Sequence, residues 1–510
     1  MAGHTKGSLS PPAMVALNAA TQTAPGVYVY ENAEGPIPAT IAPFNRVYYV
    51  GTATGGTANT PTQVISSDDF ENVFTSSSAV NLNNLDFFFR NVPNGQFYYV
   101  KAAIARITTV TITSVAAGAY TVTINGTAVT YTAPASPAPT ATTIITGLVT
   151  AINGTTAINT AVEAEYEIND AGANVFTNSR FYIRQLNPTA AAFTATATSA
   201  NLTVAAVAAP ATANYWDYIY AIENSFDEDD EQGFLVCPEA FYSLTRQFER
   251  TQIANTLEAK ASSENYDWMA LADCGPPSSI DTKAEFKTEG MLYASNRGHL
   301  AYYCPWLKDT DNDDISPALA AATVALRRYA SQGFNQPPAG PQFPLRGVAD
   351  VQVKISRSEH ADLNANQINV IKNLKGLGIV VYGARTRSVS PYYRFINTRV
   401  ILNVYARTLY TALTNGKILF SVIDGQGVLF NRIKETADLV AYRFWSGGAF
   451  FGATPADAFL NICDRTNNPA LDLEDGIVRI DSYVAPSPTA ERIFVGVIRV
   501  AIDQVVERTS

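Results

Sequence analysis

The chain has 510 residues, of which 47% are apolar and only 16% are charged, and its formal net charge is −10. Affinity for nucleic acid rests on clustered Lys and Arg, and no dense basic run occurs, so composition argues against a nucleic-acid-binding protein and against membrane-surface binding. No apolar run is long enough to span a bilayer, and the length predicts roughly three domains.

The first hundred residues predict an arm followed by two strands, a helix and a third strand. Residues 1–23 are rich in Ser, Pro, Ala and Thr without periodicity, which is typical of a flexible arm and not of a secretory signal. Val27–Tyr30 and Arg46–Val50 are runs of β-formers and predict strands. Asp68-Asp69-Phe70 predicts the start of a short helix, and Phe97–Val100 predicts a buried strand.

From Thr108 to Ala213 the composition changes abruptly to Thr, Ala, Val and Asn, which predicts a separate β-rich module inserted into the main body. Tyr120–Tyr131 predicts a hairpin, because Asn125-Gly126 supplies the positive φ angles of a type I′ turn. Further elements are predicted in this module: a helix over Thr142–Ile152 and strands over Phe181–Gln185 and Leu202–Ala206.

After Trp216 the pattern alternates between strands and helices, which predicts an α/β body. Strands are expected over Phe234–Val236, Trp268–Ala272, Leu300–Tyr303, Gly378–Tyr382, Ile477–Tyr483 and Ile493–Ile502. Helices are expected over Pro238–Ser262, Thr282–Asn296, Ala318–Tyr329, Gln367–Leu374, Val400–Leu413 and Lys434–Trp445, with Ser446-Gly447-Gly448 ending the last one.

The chemistry-bearing residues do not predict an enzyme, a cofactor or a metal site. The chain has four widely spaced cysteines and three histidines, and neither a phosphate loop nor a Gly-x-Ser-x-Gly elbow occurs. The cysteines therefore predict buried thiols of a reducing compartment. They are Cys237, Cys274, Cys304 and Cys463.

Two acidic segments leave alternatives open. Asp309–Asp314 begins like a calcium loop, but Asp314 and Ala320 stand where the turn Gly and the closing Glu belong, which excludes an EF-hand. We interpret the segment as a solvated loop, with another kind of cation site as the alternative. Asp227–Glu231 is a solvated run or faces a basic patch on a partner.

An ordered set of motifs carries a family resemblance. Gly383-Ala384-Arg385-Thr386-Arg387 is followed by Tyr393-Arg394-Phe395-Ile396-Asn397. The other members of the set are Pro25–Tyr30, Tyr302–Trp306, Ser316-Pro317-Ala318, Leu345-Arg346-Gly347-Val348 and Cys463–Asn468. Over roughly residues 24–105 and 215–502, the chain resembles the sheath subunits of contractile phage tails and related injection machines.

The sequence departs from that family at two points. Tyr382 stands where many members carry Trp, and Ser388–Pro391 occupies the place of a common acidic residue. Arg385, Arg387 and Arg394 form ion pairs in a core or at a subunit contact in our interpretation, with an anionic ligand as the alternative.

The resemblance implies a multidomain α/β and α+β fold: an α/β body, an inserted β-rich, Ig-like or similar module, and a C-terminal α+β domain with strand-exchanging terminal arms. The implied boundaries are 1–31 for the N-terminal arm with a donated strand, 32–107 with 214–385 for the body, 108–213 for the peripheral module, 386–490 for the C-terminal domain facing an inner tube, and 491–510 for the C-terminal arm.

The resemblance also implies a structural function. Hexameric rings of the subunit would stack into a helical cylinder around an inner tail tube, contacting baseplate and terminator proteins but neither nucleic acid nor a membrane interior. Contraction would drive the tube through a target envelope. The location would be a virion tail assembled in the host cytoplasm, or the bacterial cytoplasm for an injection particle. The alternative is a non-contractile surface-array or carbohydrate-binding protein.

Residues for strand exchange and tube contact follow from the same resemblance. The segment 493–502 is almost free of charge and predicts a strand added to a neighbour's sheet, with a central strand of its own domain as the alternative. The strand-exchange residues are Val27, Tyr28, Val29, Tyr30, Phe494, Val495, Val497, Ile498 and Val500. The candidate tube-facing residues are Arg432, Lys434 and Arg443.

Overall fold

The structure is a computed structural model that describes residues 40–227, 230–263, 268–415 and 418–492. It contains two compact units. Among the described residues, the larger unit comprises 42–406 and 486–492, and the smaller unit comprises 407–485 with 40–41. The predicted terminal strands, Val27–Tyr30 and Ile493–Ile502, lie outside the described residues.

The larger unit begins with a strand, a helical layer and a second long strand. Its first elements are β1 (Arg46–Gly51), β2 (Thr62–Val64), α1 (Ser67–Phe74), α2 (Ala79–Asn91) and β3 (Gln96–Lys101). The predicted short helix is present, but it begins at Ser67 and its N-cap is Ser66 and not an Asp, since the Ser66 side chain accepts from the Asp69 N–H at 3.1 Å.

The Thr/Ala-rich region contains two antiparallel sheets and one helix. Its elements are β4 (Ile107–Ile112), β5 (Gly118–Ile124), β6 (Thr127–Ala133), α3 (Ala141–Gly154), β7 (Val162–Ile168), β8 (Asn174–Val175), β9 (Arg180–Gln185), β10 (Ala195–Ala197) and β11 (Leu202–Val204). The sheet orders are β10-β5-β6 and β11-β4-β9-β7-β8. The region has its own apolar cluster, which includes Val122, Leu148 and Phe181.

The predicted hairpin is confirmed. Ile124 pairs with Thr127 across a two-residue turn, and Asn125 and Gly126 have φ angles of 48° and 81°. These angles are those of a type I′ turn, whose twist matches that of the flanking strands.

The rest of the larger unit alternates between strands and helices. Its elements are α4 (Tyr215–Asn224), β12 (Gly233–Val236), α5 (Pro238–Ser243), α6 (Gln247–Ser262), β13 (Met269–Asp273), α7 (Lys283–Leu292), β14 (Leu300–Cys304), β15 (Leu307–Lys308), β16 (Asp314–Ile315), α8 (Pro317–Gln332), β17 (Asp350–Val351), α9 (Arg357–Ala365), β18 (Asn369–Leu374), β19 (Gly378–Val381) and the start of α10 (Ile396–Asn415). The predicted helix over Pro238–Ser262 is therefore two helices.

One central sheet organises this unit. Its order is β19-β18-β14-β13-β12-β1-β3-β2, and the strands from β18 to β3 run parallel while the two edge strands are antiparallel. The central strands β12, β13 and β14 are buried along their whole length. Such continuous apolar runs are typical of parallel strands covered on both faces.

The helix predicted over Gln367–Leu374 is wrong. Residues 369–374 form β18, which pairs parallel with β14 and antiparallel with β19. Sheet pairing on both sides determines the conformation, and Val370 and Ile371 suit a strand because they are β-branched.

The smaller unit contains the end of α10 and the last elements of the chain. They are α11 (Val428–Ser446), α12 (Pro455–Ala458), β20 (Phe459–Ile462), α13 (Ala470–Glu474) and β21 (Asp481–Val484). Helices α10 and α11 confirm the two predicted near residues 400–413 and 434–445, and Gly447 and Gly448 follow α11 as expected. The predicted strand over Ile477–Tyr483 is shorter and begins at Asp481.

Candidate functional site

The motif segment leaves β19 and approaches β18 closely. A Cβ at Gly383 would lie 2.8 Å from Asn369 Oδ1 and 3.0 Å from Asn369 Cα, so this position requires glycine. The buried Asn369 side chain accepts from Arg385 N–H and donates to the Arg385 carbonyl, both at 2.7 Å. One side chain thus replaces a pair of backbone sheet hydrogen bonds at the end of the strands.

Thr386 closes the loop that follows. Its Oγ1 donates to the Tyr393 carbonyl at 2.5 Å, and its N–H donates to the Arg394 carbonyl at 2.9 Å. The buried Ala384 carbonyl accepts from Ile396 N–H at 3.0 Å. The two motif strings, separated in sequence, are therefore the two sides of one loop.

Arg385 forms the predicted kind of contact, an ion pair, with a residue that the sequence did not identify. Its Nε donates to Glu491 Oε1 at 2.9 Å, its Nη2 pairs with Glu491 Oε2, and its Nη1 donates to the Asn364 carbonyl at 2.7 Å. Burial would raise the pKa of Glu491, but the hydrogen bonds and charge of Arg385 outweigh it and lower this pKa. The pair therefore holds residue 491 against the larger unit.

Asn397 binds the same segment two and four residues earlier. Its Nδ2 donates to the Ser487 carbonyl at 3.1 Å, and its Oδ1 accepts from Thr489 Oγ1 at 2.6 Å. We call these contacts together with the Arg385–Glu491 pair the 487–491 anchor. The anchor lies immediately before the predicted donated strand.

Arg387 differs from Arg385, because no carboxylate pairs with it among the described residues. Its guanidinium donates to the backbone carbonyls of Tyr293, Asn366 and Gln367 at 2.5–3.0 Å. Burial lowers its pKa to about 10. It joins two loops through carbonyl dipoles and not through an ion pair. Arg394 is half-buried and forms no ion pair within the described ranges.

The candidate tube-facing residues lie on α11 and have different environments. Arg432 is exposed, and Arg443 is half-buried. Lys434 forms an ion pair with Asp438 at 2.7 Å, one helical turn away. Asp438 also accepts from Asn461 on β20 at 2.9 Å.

Strands β20 and β21 form a small sheet with an exposed apolar face. The two strands pair antiparallel, and the described part of the chain adds no third strand to them. Leu460 and Tyr483 face each other across the pair and are 55% and 60% exposed. Neither strand has a partner strand on its outer edge among the described residues, and an open edge of this kind can take up a further strand.

The acidic loop is tied within itself. Asp309 Oδ1 accepts from the N–H groups of Asp311 and Asp313 at 2.9 and 2.8 Å, and Asp314 pairs with Lys308 at 2.8 Å. No group of three His, Cys, Asp or Glu suited to a metal occurs in the described ranges. The cation alternative for this loop stays untested.

A buried carboxyl in the central sheet was missed from the sequence. Asp273 ends β13, and its Oδ1 accepts from Ser316 Oγ and Ala318 N–H, both at 2.7 Å, at the start of α8. Its Oδ2 has no hydrogen-bond partner among the described residues, and burial raises the pKa of Asp273 to about 7. An Asp at the end of an apolar strand was the available signal.

The four cysteines and His299 are buried core groups. The four cysteines, all within the described ranges, are buried free thiols, as predicted. Burial lowers the pKa of His299 to about 4, and its Nδ1 lies 2.9 Å from the Trp268 carbonyl. Within the described ranges, no helix is both long enough and apolar enough to cross a bilayer.

Solved structures with a similar fold cover nearly the whole chain. The anti-feeding prophage helical sheath in its contracted state matches with a TM-score of 0.57 and 18% identity, over 93% of this chain and 99% of that one. This chain has the fold of a contractile sheath subunit. The contracted sheath complex of the extracellular contractile injection system PVC has a TM-score of 0.56 and 16% identity, over 94% and 99% of the two chains.

A chain of the anti-feeding prophage baseplate shares this sheath fold at a TM-score of 0.56 and 18% identity, over 94% and 99%. No protein-family model and no curated protein matches the chain by sequence. The motif resemblance and the mixed α/β architecture predicted from the sequence are confirmed at the level of the fold.

Proposed function

We propose that this chain is the sheath subunit of a contractile tail or injection particle. Copies polymerise into a helical cylinder around an inner tube, and shortening of the cylinder drives the tube through a target envelope. One observation carries this proposal: the sheath fold extends over 93% of this chain and 99% of a sheath chain solved in the contracted state. A structural protein of this kind stores conformational energy in its subunit contacts and requires no catalytic site.

Electron microscopy of the purified protein tests this proposal. We expect negatively stained cylinders whose length grows with protein concentration, because head-to-tail contacts with a screw operation generate open helical tubes. Flat lattices or monomers at all concentrations would contradict the sheath function and favour the surface-array alternative. Co-purified baseplate and terminator proteins would identify the ends of the cylinder.

Strand exchange between copies is the second part of the proposal. Val27–Tyr30 and Phe494–Val500 are donated to neighbouring copies, and the β20–β21 sheet is the acceptor that we propose for them. Its exposed Leu460–Tyr483 pair supports this role, since a donated strand would cover apolar area as well as adding main-chain hydrogen bonds.

The 487–491 anchor supports the same mechanism from the donor side. Arg385 and Asn397 hold Ser487, Thr489 and Glu491 on the larger unit, so the chain leaves that unit at a fixed point. A pull on a strand donated beyond this point is then transmitted to the central sheet through Asn369, which binds Arg385.

Contact with the inner tube is proposed for helix α11, on which Arg432 and Arg443 share one face and Lys434 lies on the opposite side. The variant Arg432→Glu/Lys434→Glu should weaken co-assembly with tube protein, and the loss should be larger at low salt because exposed charges are screened by salt. Asp438→Asn is the control, since it breaks the Lys434–Asp438 pair without reversing a basic charge. Unchanged co-sedimentation of the double variant with tubes would remove α11 as the candidate.

A further inference from the structure

Four arginines from three segments of the chain lie together on the larger unit. They come from the end of α2, the last turns of α8 and the loop after it. Asn91 joins these elements through two hydrogen bonds to the Arg346 backbone. Its Oδ1 accepts from the Arg346 N–H at 3.1 Å, and its Nδ2 donates to the Arg346 carbonyl at 2.9 Å. The Arg90 guanidinium lies directly over Gly347, where a Cβ would be 2.5 Å from Nη1. We call Arg90, Arg327, Arg328 and Arg346 the arginine cluster.

Neutral groups hold the two inner members of the cluster. Arg327 Nη1 donates to the Pro344 carbonyl at 2.7 Å, and Arg328 Nη1 donates to the carbonyls of Pro337 and Ala339 at 2.8 and 2.6 Å. Both guanidinium groups lie over the ring of Phe343, at 5.8 and 5.9 Å. These contacts fix their positions but do not neutralise their charge.

The cluster has no carboxylate partner in the part of the chain that the structure describes. Of the ion pairs found there, none involves any of the four arginines. Burial and then the positive charge of Arg346 lower the pKa of Arg327, which reports like-charge repulsion inside the cluster. Arg90 and Arg346 are exposed, so the positive charge reaches the surface.

An uncompensated positive surface is notable on this chain, because its 45 acidic residues outnumber its 35 basic ones. Each copy therefore offers an excess of carboxylates to its neighbours. Asp311 and Asp313, for example, are exposed and form no ion pair among the described residues. Guanidinium groups bind carboxylates in a bidentate geometry, which gives orientation as well as attraction.

We propose that the arginine cluster is a docking surface for an acidic face of a second copy of this chain. This proposal rests on the proposed function, because it requires that copies of the chain assemble. It goes further by naming the surface of the larger unit that makes the contact. Charge complementarity selects the partner and the register, while apolar burial elsewhere supplies most of the affinity.

The variant Arg90→Glu/Arg346→Glu tests this surface. No described residue accepts a side-chain hydrogen bond from either arginine, so the monomer should fold and melt like the wild type. The concentration required for cylinder formation should rise about tenfold or more, because the new carboxylates would oppose the acidic face of the neighbouring copy. Arg90→Gln/Arg346→Gln should give a smaller rise, and added salt should reduce both effects.

The control variant is Arg357→Glu/Lys375→Glu, which changes the net charge by the same amount at two other exposed positions. An equal rise in this control would show a net-charge effect and overturn the docking surface. Unchanged assembly of the cluster variant would also overturn the docking surface. So would a result in which the wild type binds duplex DNA and the cluster variant does not, while the cluster variant still assembles normally.

If the proposed sheath function is wrong, the wild type itself forms no cylinders, which differs from every outcome above. In that case, sedimentation velocity of the wild type at low salt still tests the docking surface. Self-association that the cluster variant loses and the control retains supports it, and its absence in the wild type contradicts it.

Discussion

Three arginines of one motif have three different roles at the scale of single residues. Arg385 pairs with Glu491, Arg387 binds three backbone carbonyls, and Arg394 contributes its carbonyl to the loop. From the sequence alone, all three arginines were predicted to form ion pairs. Their partners come from segments up to 106 residues away, so local sequence does not contain the distinction.

Asp273 predicts a pH dependence of stability. Its pKa is raised from 3.8 to about 7 in the folded protein, so between these values the folded state binds more protons than the unfolded state. Stability should therefore fall as pH rises through this window, by up to about 4 kcal/mol from this group. Asp273→Asn cannot ionise and should flatten this part of the curve of unfolding free energy against pH, measured by denaturant titration.

The exposed Asp313→Asn is the matched control for this measurement, and its curve should follow the wild type. A wild-type decline that persists unchanged in Asp273→Asn would assign the pH dependence to other groups.

Glu491→Gln tests the anchor. The change leaves the nearly buried Arg385 guanidinium without its counter-ion, which should destabilise the segment by about 1–3 kcal/mol and speed amide hydrogen exchange at residues 487–492. Acidification should also release the segment in the wild type, because folding lowers the pKa of Glu491. The ion pair therefore stabilises the segment above the pKa of Glu491 in the unfolded state, and this stabilisation is lost as the pH falls through the pKa in the folded state.

The exposed pair Lys354–Asp350 provides the control through Asp350→Asn, which should change stability by less than about 1 kcal/mol. Exchange rates at 487–492 that do not respond to Glu491→Gln would show that the ion pair does not hold the segment.

At the scale of elements, pairing partners decided what local patterns could not. Residues 369–374 are a strand because β14 and β19 lie on either side, whereas α8 is a helix as predicted because Ser316 caps it and Pro317 suits its first turn. The helices α2, α4 and α9 were not predicted. A local start signal was therefore not sufficient, since α4 and α9 begin with the capping boxes Asn214–Asp217 and Ser356–Glu359 and were still missed.

The Thr/Ala-rich region should be dispensable for folding and assembly. Ile107 and Ala208 bridge each other by hydrogen bonds of 2.9 and 3.2 Å, so the two ends of the region are close enough for a short linker. Replacing residues 108–211 with a Gly/Ser linker should leave a soluble protein that still forms cylinders, as measured by microscopy and light scattering.

Removal of the region also uncovers the ring of Phe248, which packs on Gly172. A second version with Phe248→Gln therefore separates aggregation through this ring from loss of the fold. Insolubility or failed polymerisation of both versions would contradict a peripheral role.

At the scale of the whole molecule, the terminal segments are predicted to serve neighbouring copies. Deleting residues 1–31 should leave a subunit with nearly unchanged melting temperature that forms only short cylinders, because an intermolecular strand is lost. Thermal unfolding and cylinder length are the measurements.

Deleting residues 1–23 alone is the matched control, because it removes the predicted arm but keeps Val27–Tyr30, and long cylinders should persist. A large drop in melting temperature on deletion of residues 1–31 would show that the strand Val27–Tyr30 belongs to its own subunit. Long, stable tubes formed by the same variant would show that this strand joins no neighbouring copies.

The sequence by itself determined the α/β alternation, the type I′ hairpin, the buried thiols and the ordered motifs of the sheath fold, because these depend on local propensity and spacing. Only the tertiary structure decided the strand at 369–374, the Arg385–Glu491 pair, the hydrogen bonds of the buried Asp273 carboxyl and the arginine cluster. These features require distant segments to meet: Asp273 and Ser316 are 43 residues apart, and Asn91 and Arg346 are 255 residues apart. Burial and charge at such meeting points are properties of the fold and are not encoded in any one stretch of sequence.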